Sequence, residues 1–254
     1  MPSADGPVSG DYTDNTYGEH WAPHYDEITP DADEATIGLL SGYAGSPPRA
    51  LELAVGTGRL ALPLQARGVA VTGVDLSTEM VSLLRGKPGG ADIEVVMGDM
   101  TTVDVGARYP LVYLAFNTLF ALLTQERQLE CFSNAERHLE RGGRFVLDCF
   151  VPDVKRYDAY NTRMAVSSIS SKTTHAYEMS IHDPVSQIVT SHHVRRLGDG
   201  STVVLPVTIR YAWPAEMDLM ARMAGLEREA RWGWYDKRPF TETSVQHVSV
   251  YRKP

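Results

Sequence analysis

Glu52-Leu53-Ala54-Val55-Gly56-Thr57-Gly58-Arg59 is the stretch that decides the fold of this chain. It follows Pro48-Arg49-Ala50-Leu51 and runs into Leu60-Ala61-Leu62-Pro63-Leu64, so a short apolar run ends in a two-glycine turn and reopens with helical spacing. That order predicts a strand, a tight loop and a helix start. Glycine in such a loop permits positive φ and lets a ligand come closer than any Cβ allows. The next apolar run, Val69-Ala70-Val71-Thr72-Gly73-Val74, ends in Asp75, seventeen residues after Gly58. A carboxylate there suits the two hydroxyls of a ribose.

Working outward, Ile93-Glu94-Val95-Val96-Met97 reads as a third strand ending in Gly98-Asp99-Met100, and Leu111-Val112-Tyr113-Leu114-Ala115-Phe116 as a fourth. His138-Leu139-Glu140-Arg141-Gly142-Gly143-Arg144-Phe145-Val146-Leu147 reads as helix end, glycine turn and fifth strand. The alternation of strand and helix up to Phe150 is the rhythm of an α/β doubly wound, mostly parallel sheet. After Pro152 it breaks. From Met164 to Tyr211 the chain carries β-favouring runs separated by His182-Asp183-Pro184 and Gly198-Asp199-Gly200, which predicts an antiparallel β insertion, a cap over the ends of the main strands. A helix over 214–224 and strands near 226–234 and 244–251 close the chain. The expected organisation is a disordered start over 1–15, N-terminal helices and a cofactor-binding core over 16–152, the cap over 153–212, and the last helix with the closing strands over 213–254.

Which ligand the loop takes turns on Glu52. Gly56-Thr57-Gly58-Arg59-Leu60-Ala61 fits the weaker dinucleotide pattern, so a nicotinamide-dependent reductase is one reading. A carboxylate four residues ahead of Gly56 is, however, a poor neighbour for a pyrophosphate and a good one for a cation. S-adenosylmethionine carries a sulfonium and an ammonium, and no phosphate. Gly98-Asp99-Met100 offers a carboxylate to an exocyclic amine and a thioether to an aromatic face, both of which adenine presents.

With Glu52 to Arg59, Val74-Asp75-Leu76-Ser77, Gly98-Asp99-Met100, the segment through Asn117 and Leu139-Glu140-Arg141-Gly142-Gly143, the chain resembles the class I S-adenosylmethionine-dependent methyltransferases over roughly residues 15 to 254. The resemblance implies a Rossmann-like sheet of seven strands with the cap after the fifth. It also implies that the glycine loop, with Ala54, Gly56, Gly58 and Arg59, lies against the methionine part of the cofactor. By the same resemblance Asp75 holds the ribose, Leu76 and Met100 flank adenine, Asp99 accepts from its amine, and Met80 and Phe116 complete the pocket. Leu76 and Met100 also suit an ordinary core, and Asp99 a helix N-cap. The layout looks like bacterial small-molecule and natural-product methyltransferases, and a relative that binds the cofactor without transferring its methyl group is a further reading.

Composition limits the acceptor. The chain has 254 residues, 43% of them hydrophobic, and a net charge of −8 from 32 acidic against 24 basic residues. That size suits one substantial core, and that charge argues against a broad phosphate-binding face, so a small-molecule substrate is expected and a nucleic acid is not. No run is long enough to cross a bilayer, and Met1-Pro2-Ser3-Ala4-Asp5-Gly6 lacks a basic then apolar leader, so no membrane partner and a cytoplasmic location are expected. Cys131 and Cys149 stand alone at no metal-ligand spacing, and no metal is expected.

For the acceptor side, Tyr17, Trp21 and Tyr25 recur every four residues with His20 and His24 beside them, predicting one helix stripe of aromatics with adjacent imidazoles. Tyr17 and Trp21 are expected to close the cofactor pocket, because an aromatic face attracts a cation. Tyr25, His20 and His24 are the catalytic candidates, an imidazole being able to accept a proton near neutrality. Asn117 joins them. It resembles the first position of the Asn-Pro-Pro-aromatic motif of nucleic-acid amino-methylating enzymes, but Thr118 and Leu119 replace both prolines, which weakens a nucleobase acceptor. Trp232 and Trp234 alternate along a predicted strand and are candidates for a pocket wall. The favoured reaction is metal-free in-line methyl transfer to an amine or an aromatic, indole-like metabolite, at nitrogen or carbon rather than oxygen.

Overall fold

The computed structural model describes residues 12–13, 16–167, 176–197 and 199–254. The reading of a disordered start over 1–15 therefore lies outside the described residues except at Tyr12 and Thr13, and Gly198 of the predicted turn lies outside them too.

The chain opens with α1 (Thr16–Trp21), a 3-10 turn (Ala22–His24) and α2 (Tyr25–Ile28). This corrects the single helix expected from the aromatic spacing. Pro23 has no N–H to donate, so the α pattern breaks there and resumes in a new direction at Tyr25. Helix α3 (Glu34–Tyr43) is capped by Asp33, whose Oδ1 accepts from the Thr36 N–H at 2.7 Å.

The sheet then builds in alternation: β1 (Arg49–Leu53), α4 (Ala61–Ala66), β2 (Ala70–Asp75), α5 (Thr78–Arg85), β3 (Glu94–Met97), β4 (Tyr109–Leu114), α6 (Gln125–Arg137) and β5 (Leu139–Phe150). The fifth strand starts earlier than predicted. Leu139 already pairs with Tyr109, and Gly142, at φ +77°, sits within the strand at a register irregularity instead of ending a helix.

Four antiparallel strands follow, β6 (Thr162–Ser167), β7 (Ala176–Asp183), β8 (Ile188–Arg196) and β9 (Thr202–Arg210), paired in sequence order as a separate sheet. Helix α7 (Pro214–Met223), β10 (Glu227–Trp232) and β11 (Gln246–Arg252) complete the main sheet, whose order is β10-β11-β5-β4-β1-β2-β3. Only β11 runs against its neighbours, as its antiparallel pairing with both β5 and β10 shows.

Both faces of this sheet are buried, which explains why its strands read as near-continuous apolar runs. Leu51 and Leu53 point to one side, where they join Val112, Leu114, Phe145 and Leu147 under α6 and α7. Ala50 points to the other, with Leu111, Tyr113 and Val146 under α3 and α4. Glu52 shares that second side by the two-residue period of a strand, so its carboxyl enters an apolar layer and must find a partner there.

Candidate functional site

The strand ends of β1, β2, β3 and β4, the N-terminal helices and the inner face of the cap sheet enclose one cavity of about 570 Å³. Its floor is the opening stretch of the sequence. Ala54 adopts φ +57° and Gly56 φ +55°, so the backbone leaves β1 sharply and both residues line the cavity. Gly58 turns at φ +79° beneath the loop, and a Cβ on it would stand 2.3 Å from Leu84 Cδ1. Gly58 therefore makes the loop's shape possible without facing the ligand space. The Thr57 hydroxyl donates to Asp26 Oδ1 at 2.6 Å, and Lys87 Nζ reaches both Asp26 Oδ2 at 2.7 Å and the Thr57 carbonyl at 2.8 Å, latching α2 over the loop.

Asp75 ends β2 and lines the cavity with 9% of its surface exposed. Its Oδ2 accepts from the Gly56 N–H at 2.6 Å and its Oδ1 from the Ser77 N–H at 2.8 Å. Burial raises its pKa, and the N–H donors of Ser77 and Gly56 pull the other way. The carboxylate is thus held rigidly at a strand end with acceptor capacity left for hydroxyl donors. Leu76, 44% exposed, and Met100 and Met80 give apolar walls beside it. Asp99 caps a turn rather than a helix. Its Oδ1 caps the following turn through Thr101, its Oδ2 takes Arg127 at 2.8 Å, and the residue lines the cavity.

Glu52 stands behind the lining, not in it. Only 4% exposed, it accepts from the Tyr113 hydroxyl at 2.8 Å, and burial pushes its pKa up to about 8 against the pull of Tyr113 and Arg59. Arg59 also lies off the cavity. Its guanidinium sits 4.8 Å from the centre of the Phe116 ring, and burial raises the Tyr25 pKa against the pull of the guanidinium's charge. Both of these members of the expected cofactor set therefore stand outside the lining.

Phe116 and Asn117 line the cavity at φ +63° and +61°, two successive residues in a region that side chains rarely adopt. Strand β5 holds them there. Asp148 Oδ1 accepts from the Phe116 N–H at 2.9 Å and from the Tyr235 hydroxyl at 2.6 Å, while Asn117 Oδ1 accepts from the Phe150 N–H at 2.6 Å. The carbonyl oxygen of Asn117 is thereby spent on the backbone. Asp148, whose pKa burial raises, is a positioning residue that the sequence reading missed.

Tyr17, Trp21 and Tyr25 all line the cavity despite the broken helix. Tyr17 stacks on Trp21 with ring centres 5.2 Å apart, and the Trp21 indole donates to the Pro206 carbonyl on β9 at 3.0 Å, tying α1 to the cap. His20 and His24 do not line it. His20 is exposed with its Nδ1 against the Thr16 carbonyl at 3.0 Å, and His24 is half-buried in the 3-10 turn at Pro23. Trp232 and Trp234 likewise stay outside. Strand β10 ends at Trp232, and Trp234 packs behind the sheet with its indole on Asp33 Oδ2 at 2.7 Å.

The imidazole that faces the cavity is His193, on β8. It meets Trp21 edge-on at 5.6 Å, pairs in register with Glu178 of β7, and burial lowers its pKa. Glu178, Ser191 and Arg195 share this inner face. Their signal in the sequence was the alternation of polar residues in Ser191-His192-His193-Val194-Arg195, but alternation does not say which face turns inward.

A doubly wound sheet with a glycine turn and a buried acid at adjacent strand ends, closed by a separate cap, defines an enzyme that works with a nucleoside-bearing cofactor. The comparisons say which. Residues 50–143 match the family described as methyltransferase domain. Over 242 residues, 90% of this chain and 97% of the relative, the sequence is 27% identical to the cypemycin N-terminal methyltransferase of a Streptomyces species. The structure of the CcbJ methyltransferase from Streptomyces caelestis is 37% identical, covering 95% of this chain and 99% of that one with a TM-score of 0.85. CalS10 from Micromonospora echinaspora, an amino pentose methyltransferase solved with S-adenosylmethionine, matches at 21% identity and a TM-score of 0.68 over 91% of this chain and 95% of that one. The chain belongs to the S-adenosylmethionine-dependent methyltransferases, and its cofactor is S-adenosylmethionine. The reductase reading is thereby set aside.

Proposed function

We propose that the enzyme methylates the nitrogen of a small, natural-product-type amine held between Tyr17, Trp21 and Tyr25 on one side and the inner face of the cap on the other. The observation that carries this is His193, a cavity-facing imidazole that its buried setting keeps neutral, next to the aromatic wall. The name of the Streptomyces relative, an N-terminal methyltransferase, supports the same acceptor atom.

The residues fit the cofactor. Asp75 presents a carboxylate where a ribose would lie, Leu76, Met80 and Met100 offer apolar faces for a purine, and the turn at Ala54 to Gly56 leaves backbone for the amino-acid end. Bound there, S-adenosylmethionine would supply a methyl group on a sulfonium, whose S–C bond would break as the N–C bond forms and whose sulfur would leave as a neutral thioether. The work left to the protein is alignment, exclusion of water and handling of the acceptor's proton. Phe116 and Asn117, locked by β5, fix the edge between cofactor and acceptor space. An amine attacks only through a free electron pair, so a neutral His193 accepts the proton that the ammonium gives up. Glu178, in register beside it, favours the resulting imidazolium.

The test is turnover on a panel of primary and secondary amines with mass detection. Release of S-adenosylhomocysteine together with an N-methylated product supports the reading. Release coupled only to O-methylated products, or saturable cofactor binding with no turnover on any amine, contradicts it.

A further inference from the structure

The cap places three arginines on or beside its inner face, and they are not equally satisfied. Arg156 and Arg163 both bind Glu178 Oε1, at 3.0 and 3.2 Å, and the Ser180 hydroxyl donates to the same oxygen at 2.7 Å. Arg195 has no such partner. Among the described residues no carboxylate lies within salt-bridge distance of its guanidinium, and its Nε is buried with no acceptor. Of the cavity's carboxylates, Asp75 and Asp99 stand at the strand ends on the cofactor side, Glu178 is taken by the other two arginines, and Asp153 turns its Oδ1 to the Lys155 N–H.

An unpaired guanidinium in a partly dehydrated cavity is a site that awaits an anion, because a buried donor without an acceptor is costly and a charge without a counter-charge more so. Its neighbours sharpen that demand. Arg195 lies in register between Ala176 and Val203, two side chains that bring no polar atom, and the titratable group whose charge it feels is the Tyr17 phenol, which is no counter-charge while it keeps its proton. Two residues back on the same strand face is His193, roughly 7 Å away along the strand by the rise of a β residue. The cavity therefore sets a fixed cation one short span from the imidazole read as the proton acceptor.

We propose that Arg195 is the anion receptor of the acceptor site, and that the acceptor is an amine bearing a carboxylate a few bonds from the nitrogen that is methylated. The words acceptor and methylated rest on the function proposed above; the anion site itself does not. A planar carboxylate matches the two-pronged donor face of a guanidinium, and it satisfies the Nε left bare by the protein. The Tyr17 and Trp21 rings cover the apolar part of the same molecule, and its nitrogen falls toward His193.

The experiment uses the whole chain saturated with S-adenosylhomocysteine and titrates it calorimetrically with benzoate and with benzamide, two probes of one shape that differ in charge and carry no aliphatic amine. The expected result is that benzoate binds at least about tenfold more tightly than benzamide, that Arg195→Gln removes this preference, and that Arg195→Lys keeps part of it. Unchanged affinity of both variants for S-adenosylhomocysteine certifies that they are folded. Equal binding of the two probes, binding of neither, or a preference that survives in Arg195→Gln overturns the assignment. Methyl transfer to phenylalanine against phenylalaninamide then tests acceptor use separately. Preference for the amide with intact benzoate binding would refute the acceptor class and leave the anion site standing, whereas turnover on neither bears on the proposed function.

Discussion

Replacing Asp75 by alanine removes the carboxylate that shapes the glycine loop and that is proposed to hold the ribose. In the wild-type chain each of its oxygens already takes a backbone N–H, from Gly56 at 2.6 Å and Ser77 at 2.8 Å, so the group is aimed before ligand arrives. A hydrogen bond to a charged group contributes about 1.5–3 kcal/mol, and the variant loses at least one such bond to the cofactor. At roughly 1.4 kcal/mol per factor of ten, affinity for S-adenosylhomocysteine falls about tenfold to 150-fold. Folding stability falls less, by about 1 kcal/mol, because the Gly56 N–H borders the cavity and finds water in place of the carboxylate. Isothermal titration with S-adenosylhomocysteine, paired with thermal melts, separates the two effects. Asp75→Asn, which keeps the shape and one acceptor, belongs between wild type and alanine. A folded Asp75→Ala protein that binds S-adenosylhomocysteine as tightly as wild type would refute the placement of the ribose.

Three further outcomes follow from the geometry. Glu52 holds its proton up to about pH 8 when folded but releases it in the ordinary carboxylate range when unfolded, so the folded chain binds more protons in that window and stability falls as pH rises through it; Glu52→Gln should flatten the difference between melts at pH 5 and pH 9 by roughly 2–4 kcal/mol, and an unaltered slope would place the loss elsewhere. His193→Gln should lower kcat on an amine by about 10²-fold or more while leaving S-adenosylhomocysteine binding intact. In the wild-type enzyme the acid limb of kcat assigned to His193 should lie below the usual histidine range, since burial lowers that pKa, and the same limb persisting in the variant would acquit the residue. Gly58→Ala brings a Cβ into Leu84 at a positive φ and should cost about 2–4 kcal/mol of stability in denaturant titrations; a neutral substitution would mean that the loop is free to shift.

The parts of the molecule legible from sequence are those whose chemistry is local. Asp75 ends β2, Gly56 and Asp99 stand in the turns just after β1 and β3, and all three border the cavity, because a strand end and the turn after it are fixed by neighbours in the chain. Glu52 was rightly read as an acid inside a strand, but its partner Tyr113 is 61 residues away, and only the pairing of β1 with β4 reveals that the acid stands behind the lining. The histidines show the opposite failure. His20 and His24 share the four-residue spacing of the aromatics, and a period says which residues lie together, not which way the set faces once Pro23 bends the path. His193, Glu178 and Arg195 were hidden because a four-stranded sheet has two faces, and the one turned to the cavity is chosen by contacts such as Trp21 on Pro206 that join distant parts of the chain.

The enzyme is proposed to move a methyl group from S-adenosylmethionine to nitrogen within the capped cavity. The most direct test is a reaction with S-adenosylmethionine carrying an isotopically labelled methyl group and a panel of amino-carboxylates, followed by carbon–nitrogen correlation in the product spectrum. The account predicts label on nitrogen, with one S-adenosylhomocysteine released per label transferred. Label found on oxygen or carbon, or retained entirely in the cofactor, would contradict it.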